Sequence, residues 1–313
     1  MSAPRRRVLL AAALVAIACA LTAGMLAWPG HTAQAEGPLS FTLPPQHGRA
    51  IVPDARDLAE SAPGRAPLLV FLPATRAVPQ DYTRFLDTAH SAGFSVLGLS
   101  YPNLGRSLAK SCGPDMACYG DMLANRFDGT RPTRFSEVAA GDGILARLRD
   151  ALSYLTTHEP AGDWQRYRDG NGVRWKRVVL AGHSQGGGEA AYIAHLHAVR
   201  GVLMFSAPAE GLDGRIADWL SMSSATPASR FWGLDDRQDM YAARIAATWH
   251  ALGIGTGAPA PLPTGAHGLI TTLPLGDGGQ SHSRIVSDRT PLDTHGRPML
   301  EPVWRWMLSQ VRR

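Results

Sequence analysis

The stretch of sequence that decides the fold is RVVLAGHSQGGGEAAY, residues 177–192. In the predicted strand at 177–181, the residues after Arg177 form an apolar run without polar alternation, which is typical of a strand covered on both faces. A helical pattern begins at Glu189, and between the two lies GHSQG, residues 182–186, which fits the motif G-x-S-x-G. A turn that leads directly from strand into helix raises the serine hydroxyl above the sheet, at a helix N-terminus. The pattern therefore predicts Ser184 as a nucleophile.

The glycines on either side of Ser184 meet the geometric needs of such a turn. Gly182 and Gly186 stand two positions before and two after the serine, where small residues let the neighbouring segments approach without collision. The backbone N–H of Gln185 is expected to donate to the oxyanion that develops during acyl transfer.

A second oxyanion donor is expected from the loop that follows the predicted strand at 67–72. Ala74 and Thr75 occupy the place that such a donor takes in this architecture, whereas Pro73 has no N–H and cannot serve.

Apolar runs alternate with helical patterns along the rest of the chain. Strands are predicted at 67–72, 94–99, 177–181, 202–205, 229–232 and 269–273, with edge strands at 41–43 and 50–52. Helices are predicted at 81–92, 136–155, 189–199, 240–252 and 299–311. This alternation predicts an α/β fold, a mostly parallel sheet with helices on both faces, and reactive groups at the carboxyl ends of the strands.

These features together resemble the α/β-hydrolase family, and the elbow-like segment 178–188 is the most specific part of the resemblance. The resemblance covers the chain after residue 35. It implies an acid after a later strand and a histidine in a loop before the last helix, following the serine in that order.

The acid is expected at the end of the segment SRFWGLDD, residues 229–236, which resembles the acid-bearing loop of the family. An acid three residues after the glycine is Asp236, and the adjacent Asp235 is the alternative. Asp239, within the next helical turn, is interpreted as a cap or surface residue.

The base is expected to be His282, in the polar loop GQSHS at 279–283 before the closing helix. His267 and His295 are the alternatives, and each is otherwise a histidine of a surface loop. His183 stands beside the nucleophile on a sharp turn and points away from its hydroxyl, so packing or hydrogen bonding within the turn explains it better.

The predicted reaction is hydrolysis of a carboxylic ester, in a small molecule or a polymer. His282 accepts the proton of Ser184, Asp236 fixes the imidazole tautomer, and water cleaves the acyl-enzyme. The reaction requires no metal or organic cofactor. An acyltransferase with the same triad and a non-catalytic ligand-binding protein on the same fold remain alternatives.

The first 35 residues differ from the rest of the chain. Three arginines at 5–7 precede an apolar run over 8–28, and the triplet Ala33-Gln34-Ala35 follows. This order predicts a secretory signal peptide, which leaves a single catalytic domain over 36–313 in the periplasm or outside the cell. The alternative is a retained membrane anchor, since about 20 apolar residues can span a bilayer.

The charge of the chain does not indicate a nucleic-acid partner. It has 31 Lys and Arg against 26 Asp and Glu, and no basic run interleaved with aromatics follows the leader. The protein is expected to be a monomer.

Residues 103–135 interrupt the alternation and are predicted as an insertion or lid loop. They contain Cys112 and Cys118, which flank the turn-forming GPD at 113–115. In an oxidising compartment this spacing predicts a local disulfide, with two unpaired thiols as the alternative.

Overall fold

A nine-stranded sheet forms the centre of the described part of the chain, which comprises residues 37–46, 51–257 and 266–312 of a computed structural model. In chain order its strands are β1 (Leu39–Phe41), β2 (Asp57–Glu60), β3 (Leu68–Leu72), β4 (Ser95–Gly98), β5 (Val178–His183), β6 (Gly201–Phe205), β7 (Phe231–Asp236), β8 (Thr256–Gly257) and β9 (Gly268–Thr271). The order across the sheet is β1-β2-β4-β3-β5-β6-β7-β9-β8. From β4 to β8 all neighbours are parallel, and β1 and β2 pair antiparallel at one edge.

Helices lie between the strands in sequence and cover the sheet in space. They are α1 (Thr83–Ser91), α2 (Leu108–Cys112), α3 (Met116–Asp128), α4 (Ile144–His158), α5 (Gln185–Leu196), α6 (Ala242–Ala251), α7 (Gly278–Arg284) and α8 (Glu301–Arg312). Two small hairpins lie outside the main sheet, Arg168–Asp169 with Gly172–Val173, and Gly211–Leu212 with Arg215–Ile216.

Strand β3 shows why the predicted central strands lack polar alternation. Leu68, Val70 and Leu72 pack into the core on the side of α3, α4, α5 and α6, whereas Leu69 and Phe71 pack on the side of α1 and α8. All five side chains are fully buried. Because both faces of the sheet are covered, both sets of alternating side chains must be apolar. The predicted fold class, a mostly parallel sheet with helices on both faces, is confirmed.

Only one predicted edge strand overlaps an observed one, since the prediction at 41–43 shares Phe41 with β1. The structure has its edge strands at β1 and β2, and part of the predicted strand at 50–52 lies outside the described residues. Strand β2 begins with the buried Asp57, whose carboxylate accepts hydrogen bonds from the N–H of Ser100 at 2.6 Å and from its hydroxyl at 2.7 Å. The prediction followed short apolar patches, whereas a buried polar network fixes this strand.

The segment 103–135, predicted as an insertion or lid loop, contains two helices, α2 and α3, and most residues of α3 are buried. Helix α3 buries Tyr119, Met122, Leu123 and Phe127, at the spacing of one helical face. At its start, the Asp115 side chain accepts the N–H of Cys118 at 3.2 Å, as a helix cap does.

The two cysteines of this segment are joined. The sulfur atoms of Cys112 and Cys118 are 2.06 Å apart, so the predicted disulfide is present and ties the end of α2 to α3.

The predicted leader at 1–35 lies outside the described residues, and Gly37–Arg313 form one compact unit by their contacts. Within the described ranges, no helix combines the length and the apolar character that crossing a bilayer requires.

Candidate active site

Ser184 lies at the junction of β5 and α5, in a strained backbone conformation with φ 52° and ψ −118°. Its N–H donates to the carbonyl of Phe205 on the neighbouring strand β6, at 2.8 Å. A Cβ on Gly186 would lie 2.0 Å from the carbonyl oxygen of Leu72, and one on Gly182 would lie 2.2 Å from that of Gly186. The close crossing of backbone segments therefore requires glycine at both positions, as the motif predicts.

His282 connects Ser184 to a carboxylate. Its Nε2 lies 2.8 Å from the Ser184 hydroxyl, and its Nδ1 lies 2.7 Å from Oδ2 of Asp239. A carboxylate accepts, so Nδ1 carries the proton and Nε2 accepts from the serine hydroxyl. His282 belongs to the last turn of α7 and not to a flexible loop as predicted, which restricts the orientation of its ring.

The acid that contacts His282 is Asp239, and neither Asp236 nor Asp235 occupies that position. The prediction ended the strand at 232, whereas β7 continues through both carboxylates, which pair with Ile270 and Thr271 of β9. The loop at the carboxyl end of the strand therefore begins after Asp236, and Asp239 is its carboxylate.

Asp239 is not the surface residue that the sequence suggested, because its side chain is fully buried. Its second oxygen accepts the N–H of Tyr241 at 2.7 Å, which shapes the turn directly before α6, but no side chain caps that helix and the suggested capping role is not present. Burial alone would raise the pKa of Asp239, but the hydrogen bond and charge of His282 and the hydrogen bond of Asp235 outweigh it, and the pKa is lowered.

Asp235 lies behind Asp239 and is fully buried. The Ser206 hydroxyl donates to its Oδ1 at 2.9 Å, and its side chain is hydrogen-bonded to that of Asp239. Burial and the adjacent charge of Asp239 raise the pKa of Asp235. Asp235 therefore holds the proton of this carboxyl pair and donates it to Asp239 in a hydrogen bond.

Asp236 does not contact His282. It accepts the N–H of Gln238 at 2.8 Å, and the Ser281 side chain lies nearby. Its contacts shape the loop and the start of α7, and it does not contact the imidazole.

The two predicted oxyanion loops meet beside Ser184. Gln185 is the first residue of α5, where the N–H has no acceptor within the helix. The hydroxyl of Thr75 donates to the side-chain oxygen of Gln185 at 2.8 Å, which ties the loop after β3 to the elbow. The N–H of Ala74 donates instead to the hydroxyl of Tyr82 at 3.2 Å, so the N–H of Thr75 is the better candidate donor of the predicted pair.

His183 bonds beyond its own turn, which the sequence reasoning missed. Its Nδ1 lies 2.9 Å from the Tyr82 hydroxyl, and its Nε2 lies 2.8 Å from the carbonyl oxygen of His282. The carbonyl requires a proton on Nε2, so Nδ1 accepts from Tyr82. Burial, with a smaller effect of His282, lowers the pKa of His183 to about 3, and the ring is neutral. The chain Ala74, Tyr82, His183, His282 links the oxyanion loop to the backbone of the base.

The alternative bases lie outside this arrangement. Nδ1 of His267 donates to the carbonyl of Phe231 at 2.9 Å, and its ring stacks on Trp232 at 3.7 Å between centroids. His267 precedes β9, at the amino edge of the parallel sheet, whereas Ser184 lies at the carboxyl edge. His295 is exposed in the hydrogen-bonded turn that begins at Asp293.

A cavity of about 720 Å³ opens over Ser184 and His282. Met240 and Tyr241 supply apolar wall, and the Tyr241 ring meets the His282 ring edge to face at 5.3 Å. The charged side chains of its lining are Arg76, Asp81, Arg106, Lys110 and Arg289. In the described part of the chain, no three His, Cys, Asp or Glu side chains are grouped so as to hold a metal ion.

No protein-family model matches the sequence, and neither does any curated protein. Similar solved structures include a Thermus thermophilus protein, at 17% identity and a TM-score of 0.43, over 89% of this chain and 99% of that one. A sugar hydrolase from Lactococcus lactis is 13% identical with a TM-score of 0.42, over 88% of this chain and 97% of that one. A bacterial heroin esterase is 14% identical with a TM-score of 0.43, over 88% of this chain and 84% of that one.

The chain's own architecture decides the fold family. Seven parallel strands place the β5–α5 junction at the carboxyl edge of the sheet, where the backbone of Ser184 is strained. Asp239 and His282 follow Ser184 in the order that the family has, and beyond that edge His282 contacts the serine while Asp239 contacts His282. By this arrangement the chain has the α/β-hydrolase fold.

Proposed function

We propose that the chain is an exported serine hydrolase that cleaves a carboxylic ester through an acyl-enzyme. The observation that supports this most is the hydrogen-bonded row of Ser184, His282 and Asp239, with distances of 2.8 and 2.7 Å. Asp239 replaces the acid expected from sequence. The three residues act as nucleophile, general base and orienting carboxylate.

In the first step, Ser184 attacks the ester carbonyl while Nε2 of His282 takes the serine proton. Asp239 holds the imidazole by its Nδ1 proton and stabilises the cation that forms. His282 then passes its proton to the leaving alcohol, and the C–O bond of the ester breaks. Water attacks the acyl-enzyme with the same residue as base, which regenerates the serine.

The oxyanion of each tetrahedral intermediate is expected to accept from the N–H groups of Gln185 and Thr75. Loss of one such donor typically costs about 10²–10³-fold in kcat. The hydrogen bond between the Thr75 and Gln185 side chains supports this assignment, since it holds the two backbone segments next to each other before substrate binds.

Labelling with a fluorophosphonate tests the nucleophile, because the reagent phosphonylates an activated serine. We expect the wild-type protein to be labelled and to hydrolyse acyl esters of graded chain length, and Ser184→Ala to lose both. Ser283→Ala is the matched control: this serine lines the same cavity, and its hydroxyl donates to the carbonyl of Gln280 at 3.1 Å. Unlabelled wild-type protein, or hydrolysis that survives in Ser184→Ala, would overturn the proposal.

Export is supported by the leader-like residues 1–35 and by the disulfide between Cys112 and Cys118, which suits an oxidising compartment. Fractionation of cells that express the full chain, or the chain without residues 1–35, tests it. Only the full chain should leave the cytoplasm, in a form shortened at its N-terminus.

A further inference from the structure

Four cationic side chains surround the cavity over Ser184. They come from three separate segments of the chain: Arg76 from the loop after β3, Arg106 and Lys110 from the segment around α2, and Arg289 from the region after α7. Among the residues that the structure describes, Asp81 is the only one that contributes a carboxylate side chain to the lining of this cavity. The ratio of four to one contrasts with the whole sequence, where 31 Lys and Arg stand against 26 Asp and Glu.

These cations are not explained by ion pairs within the fold. Every ion pair found among the described residues joins other side chains, and none includes Arg76, Arg106, Lys110 or Arg289. One oxygen of the Asp81 carboxylate accepts the N–H of Val78 at 3.0 Å, and Asp81 takes part in no ion pair found among the described residues. The positive charge of the cavity rim is therefore left for an external anion.

The position of Arg76 is set by the backbone around it. Arg76 has a left-handed conformation with φ 63°, which is unfavourable for a residue other than glycine. Its N–H donates to the carbonyl of Asn103 at 3.0 Å, and its Nε donates to the carbonyl of Gly105 at 2.9 Å. These bonds keep the guanidinium at the cavity wall, one residue from the candidate oxyanion donor Thr75.

We propose that the ester cleaved at Ser184 carries a second, negatively charged group, a carboxylate or a phosphate, which the cations of the cavity bind. The inference rests on the proposed hydrolase function and adds the class of substrate to it. Unpaired cations around a cleft with low-dielectric walls attract anions and raise their local concentration, an effect that falls with ionic strength.

Two matched pairs of esters test the charge on either side of the scissile bond. On the acyl side, the monoanionic p-nitrophenyl hydrogen adipate is compared with neutral p-nitrophenyl methyl adipate. On the alcohol side, 4-carboxyphenyl butyrate is compared with neutral 4-carbamoylphenyl butyrate. We expect kcat/KM to favour the anionic ester of at least one pair by roughly tenfold or more at low salt, and 0.5 M NaCl to reduce that preference.

The variant Arg106→Gln/Lys110→Gln/Arg289→Gln should reduce the anionic-to-neutral ratio of kcat/KM towards one. Its matched control is Arg149→Gln/Lys176→Gln/Arg215→Gln, which removes the same side chains from exposed positions outside the cavity lining and should keep the ratio. Arg76 is left in place because its guanidinium also holds Gly105. Inhibition by adipate, butyl phosphate and neutral adipamide distinguishes the two anionic groups. Stronger inhibition by adipate indicates a carboxylate on the substrate, and stronger inhibition by butyl phosphate indicates a phosphate.

The outcomes separate this inference from the proposed function. If neither member of either pair is hydrolysed and the fluorophosphonate does not label Ser184, the hydrolase proposal itself fails. If the esters are hydrolysed but both ratios are one or less and insensitive to salt, or adipamide inhibits as well as the two anions, the protein is a hydrolase without anion preference and the inference is wrong.

Discussion

The site predicted from sequence and the site in the structure differ in one residue, the carboxylate that contacts His282. Ser184 could be found because its motif is local: strand, sharp turn and helix are adjacent in sequence. His282 could be found because it is a polar histidine before the last helix. Asp239 was missed because its identity depends on where β7 ends, and strand ends are poorly marked when the last strand residues are themselves buried carboxylates.

Replacing the orienting acid gives the most direct test of this correction. Asp239→Asn should lower kcat by about 10³–10⁴-fold, because an amide cannot hold the imidazole in the tautomer that accepts the serine proton. Asp236→Asn is the matched control, since its carboxylate contacts Gln238 and Ser281, not His282, and should cost far less. A larger loss in Asp236→Asn than in Asp239→Asn would contradict the assignment.

Asp235 is expected to act as a positioning residue through its hydrogen bond to Asp239. Asp235→Asn preserves a donor of the same shape, whereas Asp235→Ala removes it and leaves the Asp239 carboxylate more strongly charged toward His282. The alanine variant should therefore lose more activity than the asparagine variant, measured as kcat/KM.

The asparagine variant separates this role from a structural one. If Asp235→Asn loses as much kcat/KM as Asp235→Ala, and both losses follow the melting temperatures, Asp235 only supports packing. Rescue of kcat/KM by Asp235→Asn is the result that the hydrogen bond predicts.

At the scale of elements, the buried central strands and most of the helices that cover the sheet could be predicted from sequence. Elements that depend on long-range contacts were harder to predict. Strands β3 to β6 were found from apolar runs. Helix α3 was read as part of a loop although its buried face has helical spacing, and α7 was missed because a seven-residue polar helix has no apolar stripe. Buried polar bonds, such as those of Asp57, leave no hydrophobic pattern in the sequence.

The elbow between β5 and α5 should not tolerate a methyl group at Gly186. The new Cβ of Gly186→Ala would lie 2.0 Å from the Leu72 carbonyl oxygen, a backbone atom that cannot turn aside. We expect a loss of about 3 kcal/mol or more in the free energy of unfolding, or insoluble protein. Gly255→Ala, where nothing lies within 4 Å of the added Cβ, is the control. Chemical denaturation of both variants measures the difference, and equal stabilities would contradict the described crossing.

At the scale of the whole molecule, a buried acid on the far side of α5 links stability to pH. Glu210 is 3% exposed, its carboxylate accepts the Trp219 indole N–H at 2.5 Å, and burial raises its pKa from 4.5 to about 8. In the folded protein the acid stays protonated until about pH 8, whereas in the unfolded chain it ionises above about pH 4.5. Its contribution to stability is therefore present below pH 4.5 and is lost as the pH rises towards 8.

Glu210→Gln should remove this dependence, because glutamine does not ionise. The melting temperature of the variant minus that of wild type should therefore be larger at pH 9 than at pH 5. The control is Glu137→Gln, at an exposed position, which should shift both melting curves equally. A difference between Glu210→Gln and wild type that is the same at both pH values would show that Glu210 is ionised in the folded protein.

The hydrogen-bonded chain from Ala74 through Tyr82 and His183 to His282 has a consequence for how such a protein can change. It joins the oxyanion loop, the nucleophile turn and the base into one rigid frame, whereas Arg106, Lys110 and Arg289 are exposed and outside that frame. In the proposed function, bond-breaking and substrate choice are carried by separate parts of the chain. New substrates can be selected, in nature or in the laboratory, by exchanging rim residues one at a time while the chemistry stays intact.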